Sequence, residues 1–417
     1  MLSDGKPWAT LALAAGMLGG GSASALASGD GQDFARIERG RYLTIAADCA
    51  ACHTDPASNQ PFAGGRPIPT PFGIVIAANI TPDRDTGIGT WTDAQFDAAV
   101  RGGRMPNGKR LYPAMPFPYY AHMSRADVGA IRAYLNTVQA VHHPVVSDQL
   151  PFPFSIRASM WLWDALYFTP GEFKPDPSQS GQWNRGAYLV EGPGHCASCH
   201  TPKTLLGGDK SGQAFRGSLV QGWFGPDITD DAQRGISNWT VADIVDYLKK
   251  GHNRYAGATG PMAEEVSDSS SKMTPDDLQD IATFLKSQPG QNAGATPVSP
   301  HDPAMVAGAA IYGDLCSACH KGDGTGVPFL IPSLAASDSV ASRDPTSVLR
   351  VVLGGAQSVA TDEEPTAPGM PGFGRDLNDA QVAAVATYVR NSWGHAAASV
   401  SDGDVGRVRK SLAVAQR

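Results

Sequence analysis

The six cysteines of this 417-residue sequence are the residues whose types and spacing most clearly suggest chemistry. They form three Cys-x-x-Cys pairs, and a histidine directly follows each pair. Two cysteines three residues apart lie about one helical turn apart, so both thiols can bond the vinyl groups of one haem while the next imidazole ligates its iron. This is the attachment signature of c-type haem, so the sequence predicts three covalently bound haems c. The predicted attachment residues are Cys49, Cys52 and His53, then Cys196, Cys199 and His200, and finally Cys316, Cys319 and His320.

Other uses of paired cysteines explain the histidines less well. A structural zinc site takes four ligands, and three pairs do not divide into such sites. Disulfide bonds are permitted in an exported protein, but they predict no histidine after each pair. A thioredoxin-like redox motif would need a βαβ context, which the sequence does not show. We therefore interpret all three motifs as haem-attachment sites.

Each haem iron needs a second axial ligand, and a methionine thioether raises the reduction potential in electron-transfer cytochromes. Met115 and Met262 each lie 62 residues after the histidine of their motif, and Met370 lies 50 residues after its own. This spacing predicts that His53 pairs with Met115, His200 with Met262 and His320 with Met370. Met105, which also precedes a proline, is the rival of Met115. The other residues considered are Met123 and Met273, expected to be packing residues, and His122, His252 and His395, expected at surfaces or helix ends.

The elements that must position these residues recur three times along the chain. A short helix with a glycine and a tyrosine is expected before each motif, and a helix opened by a capping residue is expected after each methionine. Glycine lets two helix backbones approach closely, so we expect the first and last helix of each repeat to contact one another. The glycine and tyrosine pairs are Gly40 and Tyr42, Gly186 and Tyr188, and Gly308 and Tyr312. The capping residues are Ser124, Thr274 and Asn378.

These repeats predict a mainly α fold of three tandem cytochrome c-type domains, with long loops around covalently bound haem. The expected boundaries are a signal peptide at 1–27, domains at 33–147, 181–288 and 304–394, a connector rich in proline and aromatic residues at 148–180, a linker at 289–303, and a polar tail at 395–417. The connector is either a strap packed over the first two domains or a docking surface for a membrane or partner. The tail is either solvated or a short helix with a basic face.

Composition and the first residues restrict the cellular setting. The formal net charge of −7 argues against nucleic-acid binding, which needs a basic surface. An apolar run from Trp8 to Leu18, followed by small residues, resembles a secretory signal peptide that is cleaved after Ala25 or Ala27. The rest of the sequence has no run of about 18 apolar residues, so we do not expect the mature chain to span a membrane. The expected location is the periplasmic side of the bacterial cytoplasmic membrane, with peripheral contact.

At the level of whole motifs the sequence resembles the tri-haem cytochrome c subunits of bacterial membrane-associated dehydrogenase complexes. These complexes act on alcohols, aldehydes, gluconate, fructose or nicotinate. The segments that carry the resemblance are ADCAACHT at 47–54, LYPAMP at 111–116, LPFPFSIR at 150–157, GPGHC at 192–196, GPMAE at 260–264 and RNSWG at 390–394.

The resemblance implies an electron-transfer role and no substrate-oxidising site in this chain. The implied partners are a catalytic subunit with quinoprotein, flavin or molybdenum chemistry, a small third subunit, and ubiquinone or another respiratory acceptor. Two alternatives stay open from the sequence. One is a multi-haem peroxidase-like enzyme, which requires a haem iron without a methionine ligand, and the other is a free periplasmic electron shuttle.

Overall fold

The computed structural model describes residues 33–146, 148–291 and 294–415, and the predicted signal peptide lies outside these ranges. The first repeat contains α1 (Phe34–Ala46), α2 (Cys49–His53), β1 (Pro67–Thr70), β2 (Gly73–Ile76), α3 (Asp93–Gly102), α4 (Phe117–Tyr120) and α5 (Arg125–Leu135). A 3-10 helix (Arg157–Ser159) and α6 (Met160–Tyr167) follow in the connector.

The second and third repeats follow the same plan with different insertions. The second contains α7 (Gly181–Glu191), α8 (Ala197–His200), β3 (Arg216–Val220), β4 (Trp223–Asp227), α9 (Val241–Lys250), α10 (Pro261–Asp268), a 3-10 helix (Ser270–Lys272) and α11 (Pro275–Lys286). The third contains α12 (Pro303–Leu315), α13 (Ser317–His320), α14 (Asp338–Ala341), α15 (Thr346–Gly354), β5 (Ala356–Gln357), β6 (Gly369–Met370) and α16 (Asp379–Val389), and α17 (Asp402–Ala415) comes last. The strands pair as antiparallel hairpins, β1 with β2, β3 with β4 and β5 with β6, so the described fold is mainly α.

The last helix of each repeat begins at the predicted capping residue. The side chains of Ser124, Thr274 and Asn378 each accept a hydrogen bond from the backbone N–H three residues later, at the start of α5, α11 and α16. Such a cap satisfies a backbone donor that the first helical turn leaves without a partner. The prediction of these three helix starts is therefore confirmed.

The first and last helices of each repeat cross at a glycine, as the sequence predicts. A Cβ atom added to Gly40 would lie 1.9 Å from the carbonyl oxygen of Ala130 in α5. The corresponding separations are 1.9 Å from Gly186 to α11 and 2.2 Å from Gly308 to α16. Because a real Cβ atom does not fit at these distances, only glycine allows the helices to pack this closely.

The connector packs along both of the first two repeats, which agrees with its interpretation as a strap. The backbone of Gln149 exchanges hydrogen bonds with Ile74 at the edge of the first hairpin. Further along, the Trp163 indole packs edge-on against Phe117 of the first repeat, with ring centroids 6.2 Å apart. Its Nε1 donates to the carbonyl oxygen of Leu206 in the second repeat at 2.9 Å.

The predicted polar tail is corrected by the structure. Most of it forms α17, and one face of that helix is part of the core of the third repeat. Val405 and Val408 are buried there together with Leu349 and Leu353 of α15. The sequence interpretation emphasised the basic residues of the tail and overlooked the apolar positions, which recur at helical spacing and drive the burial.

Candidate haem-attachment sites

Each Cys-x-x-Cys-His motif forms a short helix directly after the first helix of its repeat. Cys49, Cys52 and His53 all lie in α2. In the other two repeats the first cysteine precedes the short helix, and the second cysteine and the histidine end it. All six cysteines are free thiols. One helical turn therefore presents two thiols and one imidazole together, which is the donor set that covalent haem attachment requires.

The three motif histidines share one hydrogen-bond geometry that the sequence did not reveal. The Nδ1 atom of His53 lies 2.7 Å from the carbonyl oxygen of Ala78. His200 Nδ1 lies 2.8 Å from the carbonyl oxygen of Pro226, and His320 Nδ1 lies 3.1 Å from that of Pro332. A carbonyl oxygen only accepts, so Nδ1 must carry the proton in each ring. The lone pair of each histidine is thereby left on Nε2, free for a metal.

Electrostatics favour the same state of these rings. Burial lowers the pKa of His53, His200 and His320 below the ordinary value of histidine. An imidazole that stays neutral keeps its lone pair, which a metal needs and a proton would occupy. The residues present therefore fit a haem iron on the Nε2 side of each histidine.

Burial also acts on the cysteines. It raises the pKa of Cys49 and Cys196 to about 12 and that of Cys52 to about 11. These thiols are therefore neutral at physiological pH, since a buried thiolate would lose its hydration. A thioether to haem carries no titratable proton, so attachment suits these buried positions.

The backbone after each motif has a conformation that sequence analysis missed. Phe62, Phe215 and Phe329 all have φ of 63°, in the left-handed region that non-glycine residues rarely adopt. In the first two repeats the strain is offset by a matching hydrogen bond. The Phe62 N–H donates to Thr54 Oγ1 at 3.2 Å, and the Phe215 N–H donates to Thr201 Oγ1 at 3.0 Å. A threonine directly after the motif histidine, in both repeats, is the sequence signal that could have revealed this turn.

The structure places the three predicted methionines in different surroundings. Met115 packs against the core cluster that Cys49 also contacts, so the predicted methionine and one attachment cysteine of the first site lie on one core. Met262, near the start of α10, packs with Ala258 and Val266 in a separate small cluster. Met370 lies in β6, paired with Ala356 of β5.

The rival residues have other environments. Met123 and Met273 are buried in the cores of the first two repeats, which confirms the expectation that they are packing residues. His122 Nδ1 lies 3.1 Å from the Glu191 carbonyl oxygen, and His395 Nε2 lies 2.7 Å from that of Leu334. His252 is buried near the ring of Phe329, and its Nδ1 atom has no hydrogen-bond partner within the described part of the chain.

The first two repeats meet through a reciprocal pair of hydrogen bonds. Tyr42 of the first repeat donates to Asp277 of the second at 2.5 Å, and Tyr188 of the second donates to Asp127 of the first. Each aspartate also forms an ion pair with an arginine of its own repeat, Arg39 or Arg185. Tyr312 is not the equivalent of these tyrosines, because its hydroxyl donates to the Lys321 carbonyl within its own repeat at 2.6 Å.

Helix α10 of the second repeat lies between the other two repeats. It contacts α2, the attachment helix of the first repeat. Val359 of the third repeat packs in the small cluster that contains Met262. In this way the second repeat adjoins both of the others.

The described residues also bear on two possibilities, a metal-ion site and a membrane-spanning helix. In the ranges that the structure covers, no group of three or more His, Cys, Asp and Glu side chains could hold a metal ion, so the zinc interpretation finds no site there. None of the helices described above is both long and apolar enough to cross a membrane.

The attachment helices and the repeated helix crossings define a class of protein, the c-type cytochromes. A family model described as cytochrome c matches residues 37–139, 184–289 and 305–393. The chain belongs to this cytochrome c family, whose members bind haem c covalently.

Three relatives are similar over most of the chain. The gluconate 2-dehydrogenase cytochrome c subunit of Pantoea cypripedii is 38% identical, over 97% of this chain and 95% of its own. The cytochrome c subunit of a quinone-type alcohol dehydrogenase from Gluconacetobacter polyoxogenes is 35% identical, over 93% of this chain and 86% of its own. The fructose dehydrogenase cytochrome subunit of Gluconobacter japonicus is 36% identical, over 89% of this chain and 82% of its own. The resemblance inferred from the motifs is therefore confirmed.

Proposed function

We propose that this chain is the tri-haem electron-transfer subunit of a dehydrogenase complex, and that it passes electrons from a catalytic partner towards ubiquinone or another respiratory acceptor. The observation that carries the proposal is the threefold recurrence of one site. Each copy has two thiols on one helical turn and a neutral imidazole with Nδ1 on a backbone carbonyl. The similar proteins described above are cytochrome subunits of three dehydrogenases, and they support the same role.

In this proposal each residue type has one task. The cysteine pairs Cys49 and Cys52, Cys196 and Cys199, and Cys316 and Cys319 would form thioethers with the haem. His53, His200 and His320 would hold the iron through Nε2, and Met115, Met262 and Met370 would each supply a second ligand. Haem c supplies a one-electron Fe(III)/Fe(II) couple when bound. The chain itself fixes the histidine tautomer and sets the spacing of the three sites.

The contacts between repeats support a relay in which the second repeat is the middle member. Its helix α10 contacts the attachment helix of the first repeat, and Val359 of the third repeat reaches the cluster around Met262. An electron that enters at either outer repeat therefore meets the second repeat before the other outer one. The direction of flow depends on which outer repeat faces the dehydrogenase.

The proposed setting is the periplasmic side of the cytoplasmic membrane, with residues 1–27 as the export signal and peripheral contact with the lipid. The catalytic partner would use quinoprotein, flavin or molybdenum chemistry, and a small third subunit would complete the complex. A periplasmic location provides both the haem-attachment machinery and access to membrane ubiquinone.

Purification of the full-length chain from its natural host, with haem attached, tests the proposal. We expect a dehydrogenase to co-purify, haem stain to remain on the chain after denaturation, and added substrate to reduce all three haems in the complex. A chain that purifies alone and is reduced by no dehydrogenase of its host would favour a free shuttle. A high-spin iron that readily binds carbon monoxide would favour the peroxidase-like alternative.

A further inference from the structure

Helix α6 of the connector exposes large apolar side chains and buries its only charged residue. Surface helices of globular proteins normally bury an apolar face and expose a polar one. In α6 the buried residues are Trp163 and Asp164, whereas Trp161, Leu162 and Leu166 are 57%, 65% and 57% exposed. Asp164 forms an ion pair with the buried Arg110. The outward face of this helix therefore offers only apolar side chains to its surroundings.

The exposed apolar surface continues from α6 onto a loop of the second repeat. The Trp163 indole donates to the carbonyl oxygen of Leu206 at 2.9 Å, which fixes this loop beside the helix. Leu205 and Leu206 are 97% and 50% exposed and lie within a tight turn. The Thr204 N–H donates to the Gly208 carbonyl oxygen and the Gly207 N–H donates to that of Thr204, which closes the turn. A leucine that protrudes almost free of protein contacts at the tip of a turn suits insertion into an apolar phase.

Cations border this surface, although the whole chain carries a net charge of −7. The guanidinium of Arg110 lies 4.8 Å from the centre of the Trp161 ring, and Arg110 forms a β-bridge with Arg104. Arg104 and Lys109 of this turn are exposed. Residues 98–126 contain five lysines and arginines and no carboxylate.

The carboxylates around the surface are neutralised by partners. Asp148 forms an ion pair with Arg157, Asp164 with Arg110, and Asp209 with Lys203. An apolar face that includes a tryptophan, with cations along its edge, is the pattern of surfaces that bind anionic lipid.

We propose that the surface formed by Trp161, Leu162, Leu166, Leu205 and Leu206, edged by Arg104 and Lys109, is a docking face for an anionic lipid bilayer. The apolar side chains enter the boundary between headgroups and acyl chains, and the cations contact lipid phosphates. The inference rests on the proposed function, because a cytochrome that reduces a membrane quinone must meet the membrane. Tyr112, in the segment that leads to Met115, donates to the connector carbonyl of Phe154 at 3.0 Å, so the connector that carries this face also contacts the first repeat near its predicted methionine.

Vesicle flotation of the full-length protein with its haems attached tests the docking face. We expect binding to vesicles of phosphatidylcholine mixed with phosphatidylglycerol, weaker binding to phosphatidylcholine alone, and further weakening at high ionic strength. Leu166→Ser should reduce the vesicle partition coefficient about tenfold, since it removes one leucine side chain that the bilayer would bury. Lys109→Glu should also reduce it about tenfold, on the anionic vesicles only. The matched control is Val306→Ser on α12, because Val306 is 59% exposed and lies outside the proposed surface.

Three outcomes would overturn the inference. The first is a wild-type protein that does not float with anionic vesicles, and the second is a Leu166→Ser variant that floats as well as Val306→Ser. The third is loss of the co-purifying dehydrogenase in Leu166→Ser, which would make this face a protein interface. Flotation uses no dehydrogenase, so failure of the proposed function itself is detected separately, by absence of a catalytic partner from the wild-type preparation.

Discussion

The crossing of α12 and α16 allows a test in which two glycines of one helix respond in opposite ways to the same substitution. A Cβ atom at Gly308 would lie 2.2 Å from the carbonyl oxygen of Ala384 and 2.6 Å from Cβ of Tyr388, whereas one at Gly313 would meet no atom within 4 Å. Alanine gains about 1 kcal/mol over glycine in a helix interior, and this gain applies at both positions. Gly313→Ala should therefore stabilise the third repeat by about that amount.

At Gly308 the steric conflict outweighs this gain. Because the atoms it would strike belong to the backbone and to a Cβ atom, they cannot rotate away, and the helices must separate by roughly 1 Å to restore contact distances. Overpacking of this kind costs about 1–3 kcal/mol, and the short distance places Gly308→Ala at the upper end. The free energy of local opening should therefore be about 3 kcal/mol lower in Gly308→Ala than in Gly313→Ala.

Hydrogen exchange of the α16 amides in the haem-loaded protein measures this difference. A deficit of about 3 kcal/mol corresponds to exchange about 150-fold faster in Gly308→Ala than in Gly313→Ala. Amides of the first repeat act as an internal control and should exchange equally in both variants. Equal protection of the α16 amides from hydrogen exchange in the two variants would show that α12 and α16 do not cross closely at Gly308.

Three further predictions follow from the sites and interfaces. Replacing one of the methionines proposed as ligands by alanine should abolish the low-spin optical spectrum of one haem only. An unchanged spectrum would exclude that methionine as a ligand. The variants are Met115→Ala, Met262→Ala and Met370→Ala. Tyr188→Phe deletes a hydrogen bond to a buried carboxylate, so it should lower the free energy of unfolding of the first two repeats by about 1.5–3 kcal/mol in denaturant titrations. The control Tyr255→Phe should lower it less, because the Tyr255 hydroxyl donates to a neutral carbonyl within the second repeat. Burial raises the pKa of Glu265 to about 7, so between about pH 4.5 and 7 the folded state holds a proton that the unfolded state releases, and the free energy of unfolding should fall as pH rises through this range. Unfolding midpoints measured across this range should show a smaller decline in Glu265→Gln and the full decline in Glu264→Gln.

Features that depend on neighbouring residues were predictable, and features that depend on distant loops were not. The capping residues Ser124, Thr274 and Asn378 act on a backbone group three residues away, so their role can be inferred from a short sequence window. The carbonyl partners of His53 and His200 lie 25 and 26 residues further along the chain, beyond hairpins whose geometry the sequence does not specify. The motif histidine indicates that a hydrogen-bond partner for Nδ1 exists, but the folded loop determines which carbonyl group is that partner.

The tyrosines show the limit of matching residue types between repeats. Tyr42 and Tyr188 each lie two positions after the crossing glycine, whereas Tyr312 lies four positions after Gly308. Two positions further along a helix is more than half a turn, so Tyr312 projects from a different side of its helix. Register, and not residue type alone, distinguishes the two tyrosines that cross between repeats from the one that stays inside its own.

The same register explains why the third repeat is held by different contacts. At the positions equivalent to Arg39, Tyr42 and Asp127 it has Ala307, Ala310 and Gln381, so it cannot form the arginine–aspartate–tyrosine bridge. Its attachment to the second repeat uses other groups. Ser347 Oγ donates to the Phe224 carbonyl oxygen at 3.0 Å, and Arg343 donates to that of Gly217 at 3.0 Å.

These two interfaces should therefore respond independently to mutation. The charged bridge joins two copies of the same element, so each tyrosine depends on the aspartate of the other repeat. The contacts of the third repeat join Arg343 and helix α15 to the backbone of strands β3 and β4, and they share no residue with the bridge. A change at Tyr42 or Tyr188 should alter the spacing of the first two sites and leave the contact between Val359 and the Met262 cluster intact. In the proposed relay, electron exchange between the first and second repeats should therefore respond to mutation of the bridge, while exchange between the second and third repeats should not.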